Sequence, residues 1–222
     1  METNKLQDIY TIVVVASIES PYYIQASWMR DRNIINSDEW LKVNNVIVVP
    51  DTSRFKIGEN MDFYCDKNRI QIGTNDSTKV ARLQSIAEGI IASIDISDDK
   101  FRAVGINNEY LFTFKSIEDS IHFGDYFVPL NKWDSLFRTP RVLDFTITDE
   151  SEQQELSPKK TIKISVIGAQ EHTNIPIINA NSNYHYIVRD RKEALEIISQ
   201  ASKTFQEFSE VFSFLLKGCS KN

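Results

Sequence analysis

Four short β-prone segments follow one another between Val46 and Ile72: Val46–Val49, Arg54–Ile57, Met61–Cys65 and Arg69–Ile72. Pro50-Asp51, Gly58-Glu59-Asn60 and Asp66-Lys67-Asn68 separate them, and these residue types suit tight reversals. Connectors this short cannot carry a parallel crossover, so the segments must join as antiparallel hairpins. Arg69-Ile70-Gln71-Ile72 alternates polar and apolar, which predicts a sheet buried on one face only. Any fold of this chain must therefore cover one face of an antiparallel sheet.

The covering elements are legible as apolar stripes. Val80, Leu83, Ile86, Ala87, Ile90, Ile91 and Ile94 recur at spacings of three and four and predict a helix over about 77–95, with Asp76 or Ser77 as its cap. A second stripe runs from Ala194 through Ile198, Phe205 and Phe212 to Leu216. It predicts one helix over about 191–217, roughly 40 Å long, opened by Asp190 and Glu193 in capping-box spacing. Further strands are expected at Ile9–Ile18, Tyr22–Met29, Phe101–Phe114 (interrupted near Asn107-Asn108), Arg141–Thr148, Thr161–Ile167 and Ile177–Val188. The segment Arg30–Asn45 reads as irregular. Ser116 and Asp119 outline a helix start in the connection to Phe137. The fold class is α+β, an antiparallel sheet covered by long helices.

A slide of 114 residues places Asp76 on Asp190, Asn60 on Asn174 and Ala87 on Ala201, and the apolar Leu83, Ile91 and Ile94 on Ile197, Phe205 and Phe208. The pattern admits two pseudo-symmetric halves, 1–115 and 116–222, within one compact unit. It equally admits two unrelated strand-to-helix units.

Composition narrows the functional classes. The 28 isoleucines favour sheet, and the 7 glycines leave little material for phosphate-cradling loops. Residues 1–115 carry 13 basic and 16 acidic side chains and residues 116–222 carry 12 and 15, so each half holds −3 of the net −6. Neither half has the footprint of a nucleic-acid binder, and nucleic acid is not the expected partner. No apolar run reaches the ~18 residues of a membrane span. Cys65 and Cys219 stand far apart, which suits a cytoplasmic protein with reduced thiols.

Asp66-Lys67-Asn68-Arg69-Ile70-Gln71-Ile72, Ala103-Val104-Gly105-Ile106-Asn107 and Asn183-Tyr184-His185-Tyr186 before a long C-terminal helix resemble a family of uncharacterised small bacterial proteins. The resemblance spans most of the chain outside Ser116–Phe137. It implies a bacterial α+β protein and carries no activity with it.

No Walker loop, dinucleotide fingerprint, CxxC, HExxH or nucleophile elbow occurs, so no cofactor and no metal are expected. His185 shares a strand face with Asn183 and Ile187 and reads as a structural strand residue rather than a base. Arg189-Asp190-Arg191-Lys192 reads as a solvated helix start rather than a phosphate site, because the helix dipole opposes cations there. Trp28, Arg30, Trp40 and Trp133 sit in polar surroundings, where aromatics and Arg serve as interface anchors or as caps on the edge of a core. The leading expectation is a non-enzymatic protein that binds a protein partner or itself, as an accessory subunit in a bacterial multi-protein system such as phage defence. A metal-dependent nuclease or other hydrolase using Asp51, Glu59, Asp62 and His185 is the first alternative, since such chemistry needs clustered carboxylates. Single-stranded nucleic-acid binding on an open sheet face is the second.

Overall fold

The computed structural model describes residues 3–128, 143–149 and 157–218. Nine strands form one antiparallel sheet: β1 (Thr3–Ala16), β2 (Val43–Val49), β3 (Thr52–Ile57), β4 (Met61–Asp66), β5 (Arg69–Thr74), β6 (Phe101–Phe114), β7 (Asp144–Thr148), β8 (Lys159–Ala169) and β9 (Pro176–Ile187). Their order is β2-β3-β4-β5-β1-β6-β9-β8-β7, so the two 14-residue strands β1 and β6 pair at the centre. The α+β class with an antiparallel sheet is as expected. The sheet continues without interruption across residue 115, because β6 pairs with β1 on one side and β9 on the other.

Strand parity fixes the two faces. Tyr10, Ile12, Val14 and Ala16 of β1, Phe55 and Phe63 of β3 and β4, and Val104, Ile106 and Phe112 of β6 are all buried on the same side. The helices of the described residues pack there: α1 (Ala26–Asp31), α2 (Ser37–Trp40), α3 (Val80–Ser93), α4 (Ile117–Phe127), α5 (Arg191–Ser199) and α6 (Ala201–Gly218). The stripe of α3 is buried through Leu83, Ile86, Ala87, Ile90 and Ile91. α6 meets the central strands through ring contacts: Phe205 with Tyr10, Phe208 with Tyr184, and Phe212 with Tyr110. Gly89 of α3 is a close-approach position, since a Cβ there would stand 3.1 Å from Ile34. A second, smaller cluster of Phe112, Phe114, Phe123, Ile164, Ile178 and Leu215 lies under α4 and the end of α6.

Four expectations are corrected. Tyr22–Met29 is not a strand but a 3-10 turn (Pro21–Tyr23) followed by α1; Ala26 and Met29 are buried at a helical spacing of three, which outweighs the β-prone Tyr and Ile content. The irregular segment 30–45 contains α2, opened by a capping box in which Asn36 accepts from the Glu39 amide and Glu39 accepts from the Asn36 amide. β6 is not interrupted at Asn107-Asn108, because both neighbours pair through that point and Asn108 donates to Asp8 at 2.6 Å.

The single 191–217 helix is two helices parted at Gln200. Gln84 of α3 holds the break: its Nε2 donates to the Ser199 carbonyl at 2.9 Å, and the Ser202 amide and hydroxyl donate to its Oε1 at 3.0 and 2.7 Å. The apolar phase is nearly kept across the break, which is why sequence periodicity passes through it. Asp190 caps α5 by accepting from the Glu193 amide, as expected. The Glu193 carboxylate, however, reaches back to the Arg189 amide rather than to that of Asp190.

Candidate functional site

The side of the sheet opposite the helices carries polar side chains in rows set by the register. One row runs Asn44–Lys56–Asp62–Gly73–Thr11–Asn107–Asn183–Thr161–Thr148 across all nine strands. The next runs Ile47–Arg54–Tyr64–Gln71–Val13–Gly105–His185–Lys159. Asn179 and Asn183 each hold a buried amide oxygen with no hydrogen-bond partner. Over the β3–β5 end lies a half-open cup of about 480 Å³, lined by Arg54, Lys56, Asp62, Tyr64, Arg69 and Gln71 with Gly73 in its floor.

The sheet ends on β2, whose outer edge no described strand pairs. β2 contains no charged residue, and its aliphatics stand out: Val46 is 57 %, Ile47 54 % and Val49 48 % exposed, and Leu41 just before it is 79 % exposed. A terminal strand is a template for pairing, and proteins guard it with charge, Pro, short length or a bulge. Here the guards are a bulge between Asn44 and Ile47, where Asn45 takes φ 50°, and Pro50 beyond the strand.

Two of the anticipated anchors, Trp40 and Arg30, fall near the start of this edge. Trp40 ends α2, and the chain passes through Leu41 and Lys42 into β2. Arg30 stacks over Trp40 at 4.6 Å and Arg32 over Trp28 at 4.5 Å, a cation–π arrangement of each guanidinium on an indole. Both indoles are partly buried against the main core, and Trp28 meets Tyr23 edge-on. Trp133 and Cys219 lie outside the described residues.

The alternative catalytic set does not meet. Asp51 sits in the β2–β3 turn, paired with Lys67 at 2.7 Å; Glu59 is exposed in the β3–β4 turn; Asp62 faces Lys56 at 3.4 Å. His185 lies on β9, four strand steps from β4, or roughly 19 Å at the usual strand spacing. Among the described residues no group of three His, Cys, Asp or Glu side chains could hold a metal ion. Cys65 is fully buried, and burial pushes its thiol pKa up to about 12, away from the reactive thiolate form.

The basic cluster at 189–192 is neither a phosphate site nor wholly solvated. Arg191 donates to Asp98 at 2.9 Å and to the carbonyls of Ile91 (3.1 Å), Ile94 (2.9 Å) and Ile96, closing the C-terminal end of α3. A cation at that end opposes the negative pole of the helix. Arg189 holds Glu193, and this bond keeps the Glu193 carboxyl below its ordinary range. Nothing in the alternation or spacing could announce the Arg191 contacts, because their partners lie more than 90 residues earlier and meet it only in the fold, whereas the Arg189–Glu193 pair is local.

Among the described residues no helix is long and apolar enough to cross a membrane, which says nothing of a β-barrel. A comparison with protein-family models finds no match, and a comparison with curated proteins finds none either.

Proposed function

We propose that this is a non-enzymatic interaction protein that associates by strand addition at β2, with a second copy of the chain as the partner. The observation that carries the reading is the uncharged terminal strand with Val46, Ile47 and Val49 exposed. Strand addition supplies main-chain hydrogen bonds, and alternate side chains add specificity. In an isologous antiparallel pair residue i meets residue j and j meets i, so a strand carrying charge of one sign would repel its own copy; β2 has no charge to repel. Leu41 and the Arg30–Trp40 stack extend the surface at the entry to β2. Cytoplasmic location and a role as accessory subunit in a bacterial multi-protein system belong to the same reading.

A duplicated origin is part of it. Outward from the central β1–β6 pair the order is 1-5-4-3-2 on one side and 6-9-8-7 on the other, and α3 and α5 each follow the last strand of their half. This order supports two related halves with β6 opening the second, which puts the boundary near residue 100 rather than 115.

The test is sedimentation velocity on the wild type and Ile47→Lys. The wild type is expected as a dimer that dissociates on dilution and the variant as a folded monomer, since the pair would bring two like charges into one short uncharged seam. A wild type that stays monomeric at every concentration rejects the reading. A dimer that survives the substitution rejects the placement at β2.

A further inference from the structure

The cup on the face opposite the described helices is cationic. Its lining holds three cations, Arg54, Lys56 and Arg69, against one carboxylate, Asp62, a local balance of +2 in a chain of net −6. Arg54 is exposed and has no carboxylate partner among the described residues. The other two cations are held loosely: Lys56 lies 3.4 Å from Asp62 and Arg69 3.6 Å from Asp66, both pairs partly exposed. Ion pairs of that kind are weak and exchange readily for a better anion.

The register explains the shape. Arg54 faces Tyr64 across the β3–β4 pair, and Tyr64 faces Gln71. Lys56 faces Asp62, and Asp62 faces Gly73. Arg54 and Lys56 are therefore two residues apart on one face of β3, about 7 Å along the strand, and the cup extends about 14 Å over three strand spacings to Thr11 of β1. Gly73 keeps the floor low: a Cβ there would stand 3.2 Å from both the Thr11 hydroxyl and the Tyr10 carbonyl.

We infer that this cup binds a phosphorylated small molecule of nucleotide size. A single carboxylate would leave the site with excess positive charge, whereas a phosphate brings about two negative charges and three acceptor oxygens to a fork-shaped guanidinium and a neighbouring ammonium. The volume lies in the ordinary range of small-ligand sites. Gln7, Gln71 and Asn75 supply uncharged donors and acceptors for the rest of the molecule. The inference does not rest on β2 pairing, and the two fail separately.

Isothermal titration with pyrophosphate, ATP and adenosine tests it. Pyrophosphate and ATP are expected to bind and adenosine to give no heat. Arg54→Ala is expected to weaken ATP by about tenfold or more, the loss of one charge-assisted contact, while keeping the wild-type circular dichroism. Lys163→Ala, on the same face but outside the cup, is expected to bind ATP as the wild type does. Absence of binding by both anions at millimolar concentration overturns the proposal, as does an Arg54→Ala variant with unchanged affinity. An oligothymidylate that displaces ATP and binds more tightly also overturns it, since the site would then belong to a nucleic-acid strand.

Discussion

The two faces of the sheet are built from the same strands and differ in almost everything else. On the helix side Ile12, Phe55, Phe63, Ile72 and Ile106 share one buried cluster with residues of α1, α3, α5 and α6 and keep almost no exposed area. On the other side the alternate residues of those strands, Thr11, Arg54, Tyr64, Gln71 and Asn107, carry hydrogen-bonding groups on the face opposite the described helices. The difference teaches a division of labour: one face supplies the stability, and the other face and the β2 edge are the surfaces for which binding is proposed. A residue's place in the two-residue period decides which task it serves.

The most severe way to break the comparison is at the covered face. Phe63 is fully buried and stacks on Phe55 at 4.7 Å. Phe63→Ala is expected to lower the unfolding free energy by about 3–5 kcal/mol, read by urea denaturation. Removing the clamp between α3 and α5 comes next: Arg191→Ala leaves the carbonyls at the end of α3 without their donor and is expected to cost about 1–3 kcal/mol by the same assay.

A smaller and pH-dependent effect belongs to Glu39 and Arg82, which join α2 to α3 through contacts of 2.7 and 2.6 Å. The Arg82 guanidinium holds the Glu39 carboxyl below its ordinary range. A depressed folded pKa contributes stability that is complete above the ordinary value, about 4.3, and is lost as pH falls through the folded one. Glu39→Gln is therefore expected to lower stability at pH 7 by about 1 kcal/mol and to flatten its decline below about pH 4.5. Urea midpoints across pH 3–7 check both parts. The mildest change is on the uncovered side: Arg54→Ala is expected to shift stability by less than about 0.5 kcal/mol, since it is an exposed surface substitution. A large loss of stability there would collapse the division between the faces.

Much of this arrangement was legible in the chain. The hairpins between β2 and β5 follow from Pro50-Asp51, Gly58-Glu59-Asn60 and Asp66-Lys67-Asn68, and the stripe of α3 from seven apolar positions, six of which are buried. Local chemistry encodes such elements, so local reading finds them. The break at Gln200 was hidden because Gln84, 115 residues before Ser199, supplies its hydrogen bonds. The cup was hidden for a related reason. Arg54 and Lys56 are ordinary polar positions of one run and Arg69 of another, and only the strand register gathers them around Gly73. The exposed edge was half visible: Val46–Val49 reads as a strand, but nothing local says that it ends the sheet.

Amide hydrogen exchange across β2 as a function of protein concentration tests the central claim most directly. Strand addition predicts that the amides of Ile47, Val48 and Val49 that do not bond to β3 gain protection as concentration rises, while those of β1 and β6 stay unchanged. Exchange of these β2 amides at one rate across the whole concentration range would contradict it.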